Sequence, residues 1–193
     1  MNENNTTNQV EFATFSIRAG AYILDAIFLL LITGVINFIN IIYFKSFILY
    51  LPFALIAVCY KPFLESHYGA TFGKMILNIK VTNHNFEKID LTTSFLRSLI
   101  LVFPAAMYIP IYYMAFNNPS LLAINDFMTF SAAMTAEYSI QGIIGKVSFL
   151  VIITDLIFML SDSTKKQRSL HDRIANTYVI NTEKRKNKVV GYR

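Results

Sequence analysis

The sequence predicts an all-α membrane protein with four transmembrane helices and a small cytoplasmic β element, drawn from the central loop and the C-terminal tail. Three observations predict it. Of the 193 residues, 54% are hydrophobic and 15% charged, whereas a soluble domain of this size carries about 25% charge. The mean hydropathy is +0.46, and the apolar residues stand in blocks instead of alternating with polar ones. The lysines and arginines gather beside those blocks, mostly on one side of the predicted topology. Disordered chains, disulfide scaffolds and ordinary soluble enzymes are excluded. Cys59, the single cysteine, lies inside an apolar run, so neither an intramolecular disulfide nor a thiolate metal cluster can form.

A spanning helix needs about 20 mostly apolar residues to cross roughly 30 Å of hydrocarbon. Four segments meet that length, at about 17–39, 47–64, 95–116 and 140–160. The second contains Pro52 and Pro62, and the third Pro104 and Pro110. A membrane helix tolerates such prolines when neighbours satisfy the freed carbonyls. The first ten residues are rich in Asn and Thr without a basic cluster, so the first segment is expected to stay as a helix and not to be cleaved as a signal peptide. The chain divides into a polar N-terminal tail (1–14), the transmembrane domain (15–180) and a basic tail (181–193).

Lysine and arginine placement sets the orientation. Fifteen lie on one side, among them Arg18, Lys61, Lys74, Lys80, Lys88, Arg97 and the residues after the fourth helix, against Lys45 and Lys146 on the other. Both termini are expected in the cytoplasm of a bacterial cell. The same bias accounts for a net charge of +5. The run Lys184–Lys188 has a second reading, contact with RNA or anionic lipid, but orientation explains it without nucleic acid.

Between the helices, the outer stretch 117–139 opens on the turn-like Asn118-Pro119 and continues in a helix-compatible pattern. A short interfacial helix or a partner-binding surface fits it. In the loop 65–94, Ile79-Lys80-Val81-Thr82 alternates as a half-buried strand does. Asn83-His84-Asn85 reads as a turn, with Phe86 to Ile89 returning as a second strand. Thr177-Tyr178-Val179-Ile180 is β-branched and aromatic and supplies a third.

Charged residues at membrane depth need explanation. Arg18 and Asp25 are seven residues apart and share a helix face, with Ala21 between them allowing close approach. Asp25 lies about 12 Å into the helix. It is either a helix-holding contact or an ion or proton site. Asp155 is the second intramembrane acid. Packing of helices one and four would bring both carboxylates to similar depth, where a shared cation or proton relieves their repulsion; two unrelated contacts are the alternative. Gly69-Ala70-Thr71-Phe72-Gly73-Lys74 fails as a phosphate loop, since three residues separate the glycines and Met75 stands where a magnesium ligand belongs. A surface turn with Lys74 toward lipid phosphates is the simpler reading. His171-Asp172 has no partners at metal-ligand spacing, and an Asp172–Arg18 ion pair would tie the tail to helix one. No nucleophile stands beside a base, so neither catalysis nor a cofactor is expected.

Arg18-x-x-Ala21-x-x-x-Asp25 resembles the opening signature of the RDD family of bacterial membrane proteins. Gly69-x-Thr71-x-Gly73-Lys74 followed by Ile79-Lys80-Val81 is similar to its central motif. Leu170-His171-Asp172-Arg173-x-Ala175-x-Thr177-x-Val179 is similar to its closing one, with Asn176 where glycine is common. The resemblance makes Arg18, Asp25 and Asp172 the named residues, with Arg97 and Asp155 at positions often polar. It implies a multi-pass protein of the cytoplasmic membrane, in which some members carry out sodium or potassium/proton antiport. The alternative is a non-catalytic subunit or assembly factor of a larger transport or secretion complex. A homo-oligomer or a subunit in a lipid bilayer is expected in either case.

Overall fold

The computed structural model describes residues 10–162, 164 and 166–182. The run Lys184–Lys188, Lys165 and most of both tails lie outside the described residues. The four apolar segments form four long helices. Helix α1 (Phe15–Phe44) is 30 residues long, about 45 Å, and exceeds the hydrocarbon thickness. It runs past the predicted end because two π turns, Leu30–Gly34 and Asn40–Phe44, carry it on until Lys45 turns left-handed (φ 48°). Helix α2 (Phe47–Tyr68) starts at Ser46, whose hydroxyl accepts from Leu49 N–H, and stops at Gly69 (φ 76°). Next come α3 (Phe72–Ile76) and β1 (Ile79–Thr82). Helix α4 (Leu91–Ala115) is capped by Asp90. The outer stretch becomes α5 (Pro119–Leu122) and α6 (Phe127–Glu137). Helix α7 (Ile140–Leu160) follows, then α8 (Leu170–Ile174) and β2 (Tyr178–Asn181).

Helices α2 and α4 form the central pair, α3 packs against α1, and α7 leans on α4 and α8. Buried apolar residues collect at the two ends of the bundle. One cluster joins Ile41, Tyr50 and Ile111 to Leu121, Phe130 and Met134, so α5 and α6 fold back onto the spanning helices. The other joins Ala13 and Ala21 to Ile79, Val81 and Val179.

The sheet corrects the expected hairpin. β1 pairs antiparallel with β2, Ile79 opposite Asn181 and Thr82 opposite Tyr178. Phe86 to Ile89 forms no strand. Asn83 Oδ1 accepts from the N–H groups of both Asn85 and Glu87, and Phe86 is left-handed (φ 63°). The local side-chain bonds capture the backbone donors a strand would need. Phe12 supplies a bridge to Ile180 on the free side of β2, so loop, tail and N-terminal segment meet there.

Candidate functional site

At the end of the bundle where α2 finishes and α4 begins, charges alternate along one chain of contacts. Arg97 of α4 is fully buried. Its Nη1 donates to Asp172 Oδ1, and also to Thr177 Oγ1 at 2.6 Å. Its Nε lies 2.9 Å from Glu65 Oε2, a charge contact too bent to be a good hydrogen bond. Asp172 receives Arg18 Nη2 at 2.5 Å on its other oxygen, and Lys74 pairs with Glu65. The order is Arg18, Asp172, Arg97, Glu65, Lys74. Five elements are tied together: α1, α8, α4, α2 and α3.

Local sequence builds each position. Asp172 is the third residue of α8, and its carboxylate also accepts from Ser169 N–H in a capping box. Burial alone would raise its pKa; Arg97 and Arg18 outweigh that and hold it well below the ordinary carboxylate range. Lys74 does not reach toward lipid phosphates, as the sequence suggested. Its side chain is turned inward, 12% exposed. Burial pushes its pKa down to about 8, although Glu65 opposes the fall. The turn from Gly69 into α3 carries Lys74 back beneath α2, which puts the ammonium over Glu65.

Asp25 has a separate set of partners. Its Oδ1 accepts from Tyr60 Oη and Gly73 N–H, both at 2.7 Å, and its Oδ2 from Thr71 Oγ1 at 2.6 Å. Gly73 is needed for this contact, because a Cβ there would collide with the Ala21 carbonyl oxygen. Ala21-x-x-x-Asp25 and Thr71-x-Gly73 are therefore two halves of one interlock. Gly69 has a different constraint, a left-handed backbone with the Lys80 side chain against it.

Asp155 of α7 bonds neither to Asp25 nor to a group that holds Asp25. Its Oδ1 accepts from His171 N–H at 3.1 Å and lies 2.8 Å from His171 Nδ1. Of the two arrangements left open for these acids, the structure has the separate contacts, since α1 is occupied by α3 while α7 packs on α4 and α8. Burial, then the nearby Lys61 ammonium, lower the His171 pKa to about 4, against Asp172 and Asp155. The imidazole is thus neutral at pH 7, its Nδ1–H donating to Asp155. Between pH 6.5 and 4 the unfolded chain takes up a proton that the folded one refuses, so stability falls as pH falls through that window. The loss is about 3 kcal/mol at most. Melting temperatures in one detergent across this range should drop for the native protein and drop less for His171→Gln. Parallel profiles would contradict a neutral buried imidazole.

The structure thus brings together Arg18, Arg97, Asp172 and Lys74, sets His171 beside them with Nε2 3.6 Å from Asp172, and places Asp25, Thr71 and Gly73 in a second group. Sequence reasoning missed Glu65 and Tyr60. Glu65 was legible: Gly69 is a helix stop, which extends helix two past Leu64 and puts an acid inside a spanning segment. Lys61, counted in the sequence toward orientation, also lies in α2. It acts electrostatically on Glu65, Arg97, Asp155 and Asp172.

Four apolar helices around a buried ionic cluster define a multi-pass membrane protein. The RDD family model matches residues 12–176, a span that contains all three motifs except the end of the last, and the chain belongs to the RDD family. No curated protein and no solved structure matches it significantly.

Proposed function

We propose that this protein exchanges a monovalent cation for protons across a bacterial cytoplasmic membrane, with both termini inside and Asp25 as the ion- and proton-binding group. One observation carries the reading. Glu65 and Asp172 are each matched by a guanidinium and a second cation, whereas among the described residues Asp25 is held only by neutral donors. A carboxylate at membrane depth without a fixed counter-charge is the group that a proton or a cation can neutralise in turn. Asp155, bound to the neutral His171, is the second candidate. Arg18 and Asp172 hold the helices around this group. Neither enzymatic chemistry nor nucleic acid enters the proposal, and a homo-oligomer is the working assembly.

Everted vesicles carrying the protein should dequench an acridine pH dye when sodium or potassium is added. A flat trace with both ions at several pH values would sink the reading. A second reading, a subunit of a larger membrane complex, is favoured by α7, of whose 21 residues only Met159 is buried. It predicts a stoichiometric companion after gentle detergent extraction, together with silence in the vesicle assay.

A further inference from the structure

A cleft of about 250 Å³ lies between α1 and α4 with α2 as its floor, at the end of the bundle away from the charge network. Its walls carry Thr33 and Asn37 from α1, Tyr50 and Val58 from α2, and Tyr108 and Tyr112 from α4. Thr33 belongs to the first π turn of α1, a backbone irregularity that recurs at functional sites. Asn37 Oδ1 is buried and has no hydrogen-bond partner. The hydroxyls of Tyr50, Tyr108 and Tyr112 make no hydrogen bond among the described residues. Such groups are unstable against hydrocarbon, where polar atoms must be satisfied internally unless they line a watery cavity.

The cleft is also deep. Counting back from Phe44, Asn37 is about 10 Å and Thr33 about 16 Å along α1, which reaches the middle of the bilayer. Thr33 is eight residues past Asp25, about 12 Å further along the same helix. Tyr60, which donates to Asp25, follows Val58 of the cleft floor by two residues on α2.

We infer that this cleft is a water-filled vestibule, open to the outer side, that takes a small monovalent cation to the bilayer midplane above Asp25. The donor set fixes the class of ligand. One amide oxygen and three phenol oxygens are hard neutral acceptors, suited to a hydrated monovalent ion. Among the described residues no basic side chain lines the walls to hold an anion, and no carboxylate to hold a divalent cation. The inference rests on the exchange reading for the ion, and on the geometry alone for the water.

Thiol accessibility tests it, because methanethiosulfonates react with the thiolate, which water favours and hydrocarbon suppresses. In a Cys59→Ser background, Thr33→Cys, Asn37→Cys and Ala105→Cys, the last on the α4 wall of the cleft, are each treated, in right-side-out vesicles, with a charged impermeant methanethiosulfonate. Leu31→Cys, on the same helix and 63% exposed at the protein surface, is the lipid-facing control. Labelling of Thr33→Cys and Ala105→Cys at least about tenfold faster than Leu31→Cys is expected, with sodium or potassium slowing it. Rates equal to the control, or labelling only from the cytoplasmic side, would overturn the vestibule. Ala105→Cys sits on a different helix and keeps the test decisive if the α1 variants fail to fold. Exchange without labelling overturns the vestibule alone. Labelling without exchange keeps the water-filled cleft, and overturns both its cation and the exchange reading.

Discussion

Arg97→Ala should leave little folded protein at growth temperature. The guanidinium lies between two carboxylates with no access to solvent, and its removal takes one direct partner from each, leaving Asp172 to Arg18 and Glu65 to Lys74, with Lys61 near both. Removing one partner of a buried ion pair costs about 3–5 kcal/mol, and here two pairs share one residue. Arg97→Lys keeps the charge but cannot reach both acids at once, so it should rescue only part of the loss. Adding Glu65→Gln and Asp172→Asn to Arg97→Met should not recover stability, because Arg18 and Lys74 then lose their carboxylates. Thermal unfolding in a single detergent separates these cases. A melting temperature for Arg97→Ala within a few degrees of the native value would mean that the network contributes nothing to the fold.

Gly73→Ala should also be strongly destabilising, despite adding one methyl group. The new Cβ falls on the Ala21 carbonyl oxygen and within 3.0 Å of Asp25 N and Oδ1. These are backbone atoms of α1 and a fixed carboxylate, so α3 must lift away and the Gly73–Asp25 hydrogen bond is lost. Overpacking costs about 1–3 kcal/mol, and a hydrogen bond to a charged group is worth about 1.5–3 kcal/mol. Gly69→Ala meets a flexible lysine stem instead, at a left-handed residue, where the conformational penalty is roughly 1–2 kcal/mol. The order expected by thermal unfolding is therefore Gly73→Ala worse than Gly69→Ala. The reverse order would contradict the close approach of α3 to α1.

The helices were legible because hydropathy acts over whole turns. Ile140 and Leu160 were placed at the ends of α7 from composition alone. The additional length of α1 was not, since π turns leave no periodic signature in so apolar a segment. Phe86 to Ile89 has the composition of a strand, yet Asn83 captures its donors, a competition invisible to propensity. Arg18 and Asp172 could be matched because both sit at the helix ends on the side richest in lysine and arginine. The direction of Lys74 depends on a turn geometry that the sequence only hints at through Gly69. The separation of Asp25 from Asp155 depends on which helices touch, which hydropathy does not encode. Asn176 is a case where the structure explains a sequence preference: its φ is 48°, a conformation glycine adopts freely and asparagine tolerates.

The charges divide into a matched set at one end of the bundle and Asp25, the carboxylate to which the proposal gives the exchange. Asp25→Asn separates the two. Asparagine keeps an oxygen for Tyr60 and Gly73 N–H, and its amide can donate to Thr71 if that hydroxyl turns to accept. Folding should therefore survive while the ionisable group is gone. The decisive measurement takes melting temperature and cation-dependent proton movement on the same vesicle preparation, for native protein and Asp25→Asn. Exchange abolished at a melting temperature within a few degrees of native is the expected result. Exchange retained in Asp25→Asn would contradict the role given to Asp25.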